Sequence, residues 1–79
     1  MITAMQLREH MNESPFRPFR VTLSDGRAFN VPNHDVAHVK RNSIEIGFDL
    51  DSRSFPRKYV DGPILHITRI EDVPTAQAA

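Results

Sequence analysis

Asp25-Gly26, set between the alternations Phe19-Arg20-Val21-Thr22-Leu23 and Ala28-Phe29-Asn30-Val31, constrains the fold of this chain more than any other feature. A two-residue hairpin loop there would pair Val21 with Asn30 and Thr22 with Phe29, mixing apolar and polar faces. A three-residue loop, Ser24-Asp25-Gly26, pairs Phe19 with Val31 and Val21 with Phe29, and one face becomes wholly apolar. The spacing therefore predicts a type I turn followed by a bulge, with Gly26 at positive φ and Asp25 as its polar turn residue. Alanine at Gly26 is expected to be costly, because that backbone position suits a residue without a Cβ.

Upstream, Thr3-Ala4-Met5-Gln6 has the spacing of a capping box, and Ala4, Leu7 and Met11 make one apolar stripe on a short helix. Pro15 disfavours helical geometry at Ser14, which predicts a helix end near Glu13. A helix of about ten residues is marginal alone, so it must dock its stripe on the sheet. Phe16, out of phase with Phe19 across Pro18, is read as a plug in the seam between helix and sheet.

Downstream, Pro32 lacks a ladder donor and must end or bend the second strand, which resumes over Val36–Val39 after a turn at Asn33-His34-Asp35. Ile44, Ile46, Phe48 and Leu50 alternate with polar residues and glycine, the clearest strand signal in the chain. Phe55 to Val60 reads as a short strand, Asp61-Gly62-Pro63 as a turn, and Ile64 to Ile70 as the last strand. The poor alternation of that last segment predicts a bulge or one tight helical turn near Leu65. The expected fold is α+β, mainly β: an N-terminal helix, then a five-stranded, strongly curled antiparallel sheet forming an SH3-like or Sm-like small barrel. It is expected to be one domain over residues 1–74, with a frayed tail at 75–79.

Seventy-nine residues support only a thin core, since a chain of this size buries about 60% of its unfolded surface. The chain has no cysteine, which excludes disulfides, thiolate nucleophiles and cysteine-ligated zinc together. Good packing or self-association remain as means of support. Ten basic residues balance ten acidic ones, which argues against a dedicated nucleic-acid binder. Residues 1–41 are mildly basic and residues 42–79 mildly acidic. The opening Met-Ile-Thr-Ala-Met shows neither a basic start nor a long apolar run, so the expectation is a cytoplasmic protein with no membrane partner.

Catalytic signals are weak. His34-Asp35-Val36-Ala37-His38 imitates a zinc-protease pattern with Asp in place of Glu, but that pattern works only on a helix. In extended chain the two imidazoles stand about 13 Å apart, too far for one ion. No metal site and no cofactor are expected. His66 is read as a half-buried histidine bonded to backbone. Ser24-Asp25 and Ser52 lack a nucleophile elbow, and Gly26, Gly47 and Gly62 are too scattered to cradle a phosphate. No catalytic residue is assigned and the chain is read as non-enzymatic. Arg57, Lys58 and Tyr59, with Arg20 and Arg27, are the candidate contacts for a protein or RNA partner, Tyr59 offering a stacking platform.

Pro15 to Arg20, Asp25-Gly26-Arg27, Phe29-x-Val31-Pro32, His34 and Ile64-Leu65-His66-Ile67-Thr68-x-Ile70 together resemble a family of short bacterial proteins of unknown function, over about residues 3–73. Those proteins share a Pro-Phe-Arg-Pro-Phe opening and an Asp-Gly-Arg hairpin, and the resemblance implies a fold pattern and no activity. Leu23-x-x-Gly26-x-x-Phe29 is more distantly similar to the first part of the Sm signature. That likeness implies a barrel. The Sm RNA pocket does not carry over residue by residue: Asp35 is out of register, and only Arg57-Lys58-Tyr59 and Asp61-Gly62 stand where the closing loop belongs. The sequence thus points to an interaction module that binds itself or another protein through a strand edge, with Sm-like RNA binding as the alternative.

Overall fold

The structure, a computed structural model, describes residues 1–73. The expected tail at 75–79 lies outside the described residues. Helix α1 (Ala4–Met11) opens the chain, and Thr3 caps it as the spacing predicts: its hydroxyl accepts from the Gln6 amide while Gln6 Oε1 accepts from the Thr3 amide at 2.8 Å. The helix stops short of Glu13, because Asn12 leaves helical geometry as the C-cap while its amide donates to the Arg8 carbonyl. Asparagine competes for nearby backbone groups and so favours such an end. Leu7 is buried, with Ala4 and Met11 partly buried beside it, so the stripe is the docking face.

Six strands follow: β1 (Phe19–Leu23), β2 (Ala28–Val31), β3 (Ala37–Val39), β4 (Ser43–Leu50), β5 (Pro56–Pro63) and β6 (Ile67–Asp72). They form two three-stranded antiparallel sheets, ordered β2-β1-β6 and β3-β4-β5, and this corrects the expected five-stranded curled sheet and closed barrel. The physical reason lies at Pro32. It offers no N–H, and the Asn33–Val36 turn, where Asn33 Oδ1 accepts from the Asp35 amide, separates β2 from β3 into different sheets.

The hairpin register is the one the alternation requires, with Phe19 opposite Val31 and Val21 opposite Phe29, and Gly26 has φ +92°. Phe19, Val21 and Val31 are fully buried, while Phe29 is half-buried and stacks on Phe48 across the two sheets at 5.5 Å. The core joins Leu7 with Phe19, Val21, Leu23, Val31, Val36, Ile44, Ile46, Ile64 and Ile67. Phe16 is partly buried between the Phe19 ring at 6.0 Å and the His34 ring at 6.1 Å, in the plug position.

The end of the chain needs two corrections. Asp61-Gly62-Pro63 is not a turn but the end of β5, where Asp61 pairs with Glu45 and Gly62 with Ile44. The long strand β4 requires a partner of its own length, and buried Gly62 lets the backbone pass close to Leu23. The tight turn does form, as a 3-10 helix over Ile64–His66, and a bulge follows between Leu23 and Thr22 in the pairing of β1 with β6. His66 is exposed rather than half-buried, and its carbonyl accepts from the Ser24 amide at 2.7 Å.

A free strand edge as the candidate functional site

Strand β5 is an edge strand, hydrogen-bonded to β4 alone among the described strands. Which of its backbone groups face outward follows from β4. The Gly47 amide donates to the Val36 carbonyl at 2.6 Å, and the Ser43 carbonyl accepts from Lys40, so the odd-numbered residues of β4 turn toward the β3 side. The Asn42 carbonyl, of the other parity, accepts from Ile64 at the end of β5. Gly47–Tyr59 and Glu45–Asp61 are therefore the non-hydrogen-bonded pairs of the β4–β5 ladder. It follows that the N–H and C=O of Tyr59 and Asp61, and by alternation of Arg57, point to the open edge. Lys58, Val60 and Gly62 spend theirs on β4.

The side chains follow the same alternation. Arg57, Tyr59 and Asp61 share the outer face of the sheet, and Lys58 lies on the other face opposite Phe48. Tyr59 is 61% exposed, with one edge of its ring over Gly47, where a Cβ would stand 3.2 Å from it. Phe55, just before the strand, is 63% exposed. Asp61 lies 3.7 Å from Lys40 Nζ, a cation it shares with Glu45. Arg57 makes no ion pair with a described residue.

The other two sequence candidates are elsewhere. Arg20 lies on the sheet of β1, where its Nε donates to Asn30 Oδ1 at 2.9 Å and its guanidinium stands 4.0 Å from Glu71. Arg27 is held in the β1–β2 turn: its amide and its Nε both donate to Asp25, at 3.0 and 2.7 Å, and its guanidinium lies over the Phe29 ring. These donors hold the Asp25 carboxyl below the usual carboxylate range, the Arg27 amide contributing most. Both arginines are engaged within their own sheet, and no single basic surface forms from the five candidates.

Sequence reasoning missed Asp61 as part of the edge, because Asp-Gly-Pro reads locally as a turn. The signal that would have found it is the length of β4: pairing Ile44 through Leu50 requires a partner reaching Gly62.

His34 and His38 fall in the turn and in β3, and both are exposed. They line one shallow cleft together with Arg8. Among the described residues no group of three or more histidine, aspartate or glutamate side chains is placed to hold a metal ion. A larger cleft of about 420 Å³ between β2 and β4 is lined by Phe29, Phe48, Leu50, Pro18, Pro32 and Val73, with Asp49 as the one ionisable group among its lining residues. No helix among the described residues is long and apolar enough to cross a membrane.

Comparison of the chain with protein families, with curated proteins and with solved structures finds no match in any of the three.

Proposed function

We propose that this chain is a non-enzymatic interaction module that binds protein by extending its β3-β4-β5 sheet along the open edge of β5. The observation that carries this reading is the row of outward N–H and C=O groups on Arg57, Tyr59 and Asp61, beside the exposed ring of Tyr59. An edge of that kind accepts an extended segment through main-chain bonds and reads it through alternate side chains. β5 is eight residues long, against four in β2 and three in β3, and so presents the longer ladder. Pro63, of the outward parity, ends that ladder, whereas Pro56 has the inward parity and leaves the open edge intact.

Sm-like RNA binding is the alternative, suggested by Leu23-x-x-Gly26-x-x-Phe29 together with the cationic and aromatic run Arg57-Lys58-Tyr59. The internal engagement of Arg20 and Arg27 and the balanced charge weigh against it.

The test selects extended peptides from a displayed library on the wild-type chain and on Tyr59→Pro, which removes an outward donor without touching the β4 ladder. Selected peptides that protect the amides of Arg57, Tyr59 and Asp61 from hydrogen exchange, and that lose affinity for Tyr59→Pro, support the reading. Peptides that bind both proteins equally, or sub-micromolar affinity for a uridine-rich oligonucleotide that survives moderate salt, would overturn it.

A further inference from the structure

The open edge of β5 is complementary to itself. Laid antiparallel against a second copy with Tyr59 opposite Tyr59, it brings Arg57 opposite Asp61 of the second copy, and Asp61 opposite the second Arg57. All three are residues whose N–H and C=O point outward, so each of the three cross-strand pairs is of the hydrogen-bonded kind, with Cα atoms about 5.5 Å apart. A register displaced by two residues would place Arg57 opposite Tyr59 and Asp61 opposite Phe55, or in the other direction Arg57 opposite Pro63 and Asp61 opposite Tyr59, so it loses both ion pairs.

We infer that this chain forms a two-fold dimer, with a continuous six-stranded sheet made by β5 pairing with β5 of a second copy in the Tyr59-centred register. The inference rests on the reading of β5 as the binding edge and names its partner. Three independent features of the edge meet in this register. The Arg57 guanidinium, without an ionic partner among the described residues, gains a carboxylate. Asp61, which shares Lys40 with Glu45, gains a cation of its own. The exposed rings gain apolar cover as well: Tyr59 meets its symmetry mate, and Phe55 comes level with Pro63 of the second copy. Opposite charges directly across a strand pair favour it and like charges oppose it, so the pattern selects this register over its neighbours.

The ladder is short. It runs from Arg57 to Asp61 and stops at Pro63, which has no donor, and so buries far less than the roughly 1,600 Å² of a standard stable interface. The dimer is accordingly dependent on concentration and weakened by salt, since its ion pairs lie at the surface.

A charge-swap experiment decides the matter. Sedimentation equilibrium of the full chain, from low micromolar to millimolar concentration, is expected to show a monomer–dimer equilibrium. Arg57→Glu and Asp61→Arg each set like charges opposite one another at two symmetry-related places, and each is expected to weaken dimerisation about tenfold. The double variant Arg57→Glu/Asp61→Arg restores opposite charges and is expected to recover most of the loss. Circular dichroism and thermal melts of each variant establish that the monomer is folded.

Because Asp61→Arg also removes the Lys40 contact, a second measurement stands apart from charge. The chain has no cysteine, so Tyr59→Cys is expected to give a disulfide-linked dimer under mild oxidation, the Cα separation in the pair matching disulfide geometry. Lys58→Cys, on the other face and out of register, is expected to stay monomeric. A strict monomer at millimolar concentration, assemblies larger than two, or a double variant no better than the singles would overturn the symmetric dimer. The edge reading itself fails separately, when Tyr59→Pro leaves the binding of selected peptides unchanged.

Discussion

The ring of Pro56 fills the place where a Cβ on Gly47 would stand. The two residues belong to neighbouring strands, and the absence of a side chain at Gly47 lets the start of β5 fold down over β4 while the Tyr59 ring covers the gap. Gly47→Ala is therefore expected to destabilise the chain by about 1–3 kcal/mol through overpacking. Urea unfolding measures it. If the cause is the proline ring, Pro56→Ala in the same chain recovers part of the loss, and a double-mutant cycle gives a clear coupling between the two positions. Additive effects would show that Gly47 is needed for another reason.

Gly26 presents the opposite case. Nothing stands within 4 Å of where its Cβ would be, yet its φ is +92°, beyond the region that residues with a Cβ adopt readily. Gly26→Ala is expected to cost about 1–2 kcal/mol from backbone strain alone. Asparagine, which tolerates positive φ better, is expected to cost less than alanine there. Equal losses for the two substitutions would argue that the strain is not conformational.

How far the sequence could be read depended on range. The β1–β2 register was legible because a slip of one residue exposes Val21 or buries Thr22, so a single local choice satisfied both faces. The Thr3–Gln6 cap and the tight turn near Leu65 were legible for the same local reason. Sheet membership was not. Whether β2 continues into β3 depends on where the chain goes after Pro32, and that is settled by packing of β3 on β4 and of α1 beside it. Asp61 was lost to a turn by its own neighbours, Gly62 and Pro63, whose local preference was overruled by the need of Ile44 for a paired strand. Arg57, Lys58 and Tyr59 were proposed by residue type, and the structure places all three on β5. That Arg20 and Arg27 lie apart from them was not legible, because charge carries no information about which sheet a strand joins.

Stability should carry an acid-side signature from Asp25. Its carboxyl is held below the usual carboxylate range, first by the Arg27 amide and then by the Arg27 side chain. A depressed folded value means that the unfolded chain binds the proton more readily between the two values. The contribution is thus complete above the ordinary aspartate range and is lost as pH falls through the depressed value. Asp25 lies at the surface, so the effect is small and screened by salt. Urea midpoints of wild type and Asp25→Asn are expected to differ at neutral pH and to converge in strong acid. A gap that stays constant across that window would assign the difference to turn geometry rather than to charge.

Zinc is expected to leave the melting temperature unchanged. His34 and His38 line the same cleft beneath α1, and a pair of imidazoles is the beginning of a metal site. What surrounds them is unfavourable to a cation. Arg8 lines the same cleft with its fixed positive charge, and the other lining residues, Met11, Asn12, Ala37 and Val39, bring no carboxylate. The Asp35 carboxylate is 3.4 Å from the outer nitrogen of His34 and competes with a metal for that ring. Any ligand that binds only the folded chain raises its stability in proportion to occupancy, about 2.7 kcal/mol at a hundredfold excess over its dissociation constant. A saturable rise of that size, abolished by His38→Ala and enhanced by Arg8→Ala, would place a zinc site in the cleft after all. A flat response, with Arg8→Ala equally flat, would show that two imidazoles alone are too few ligands here, whatever the charge beside them.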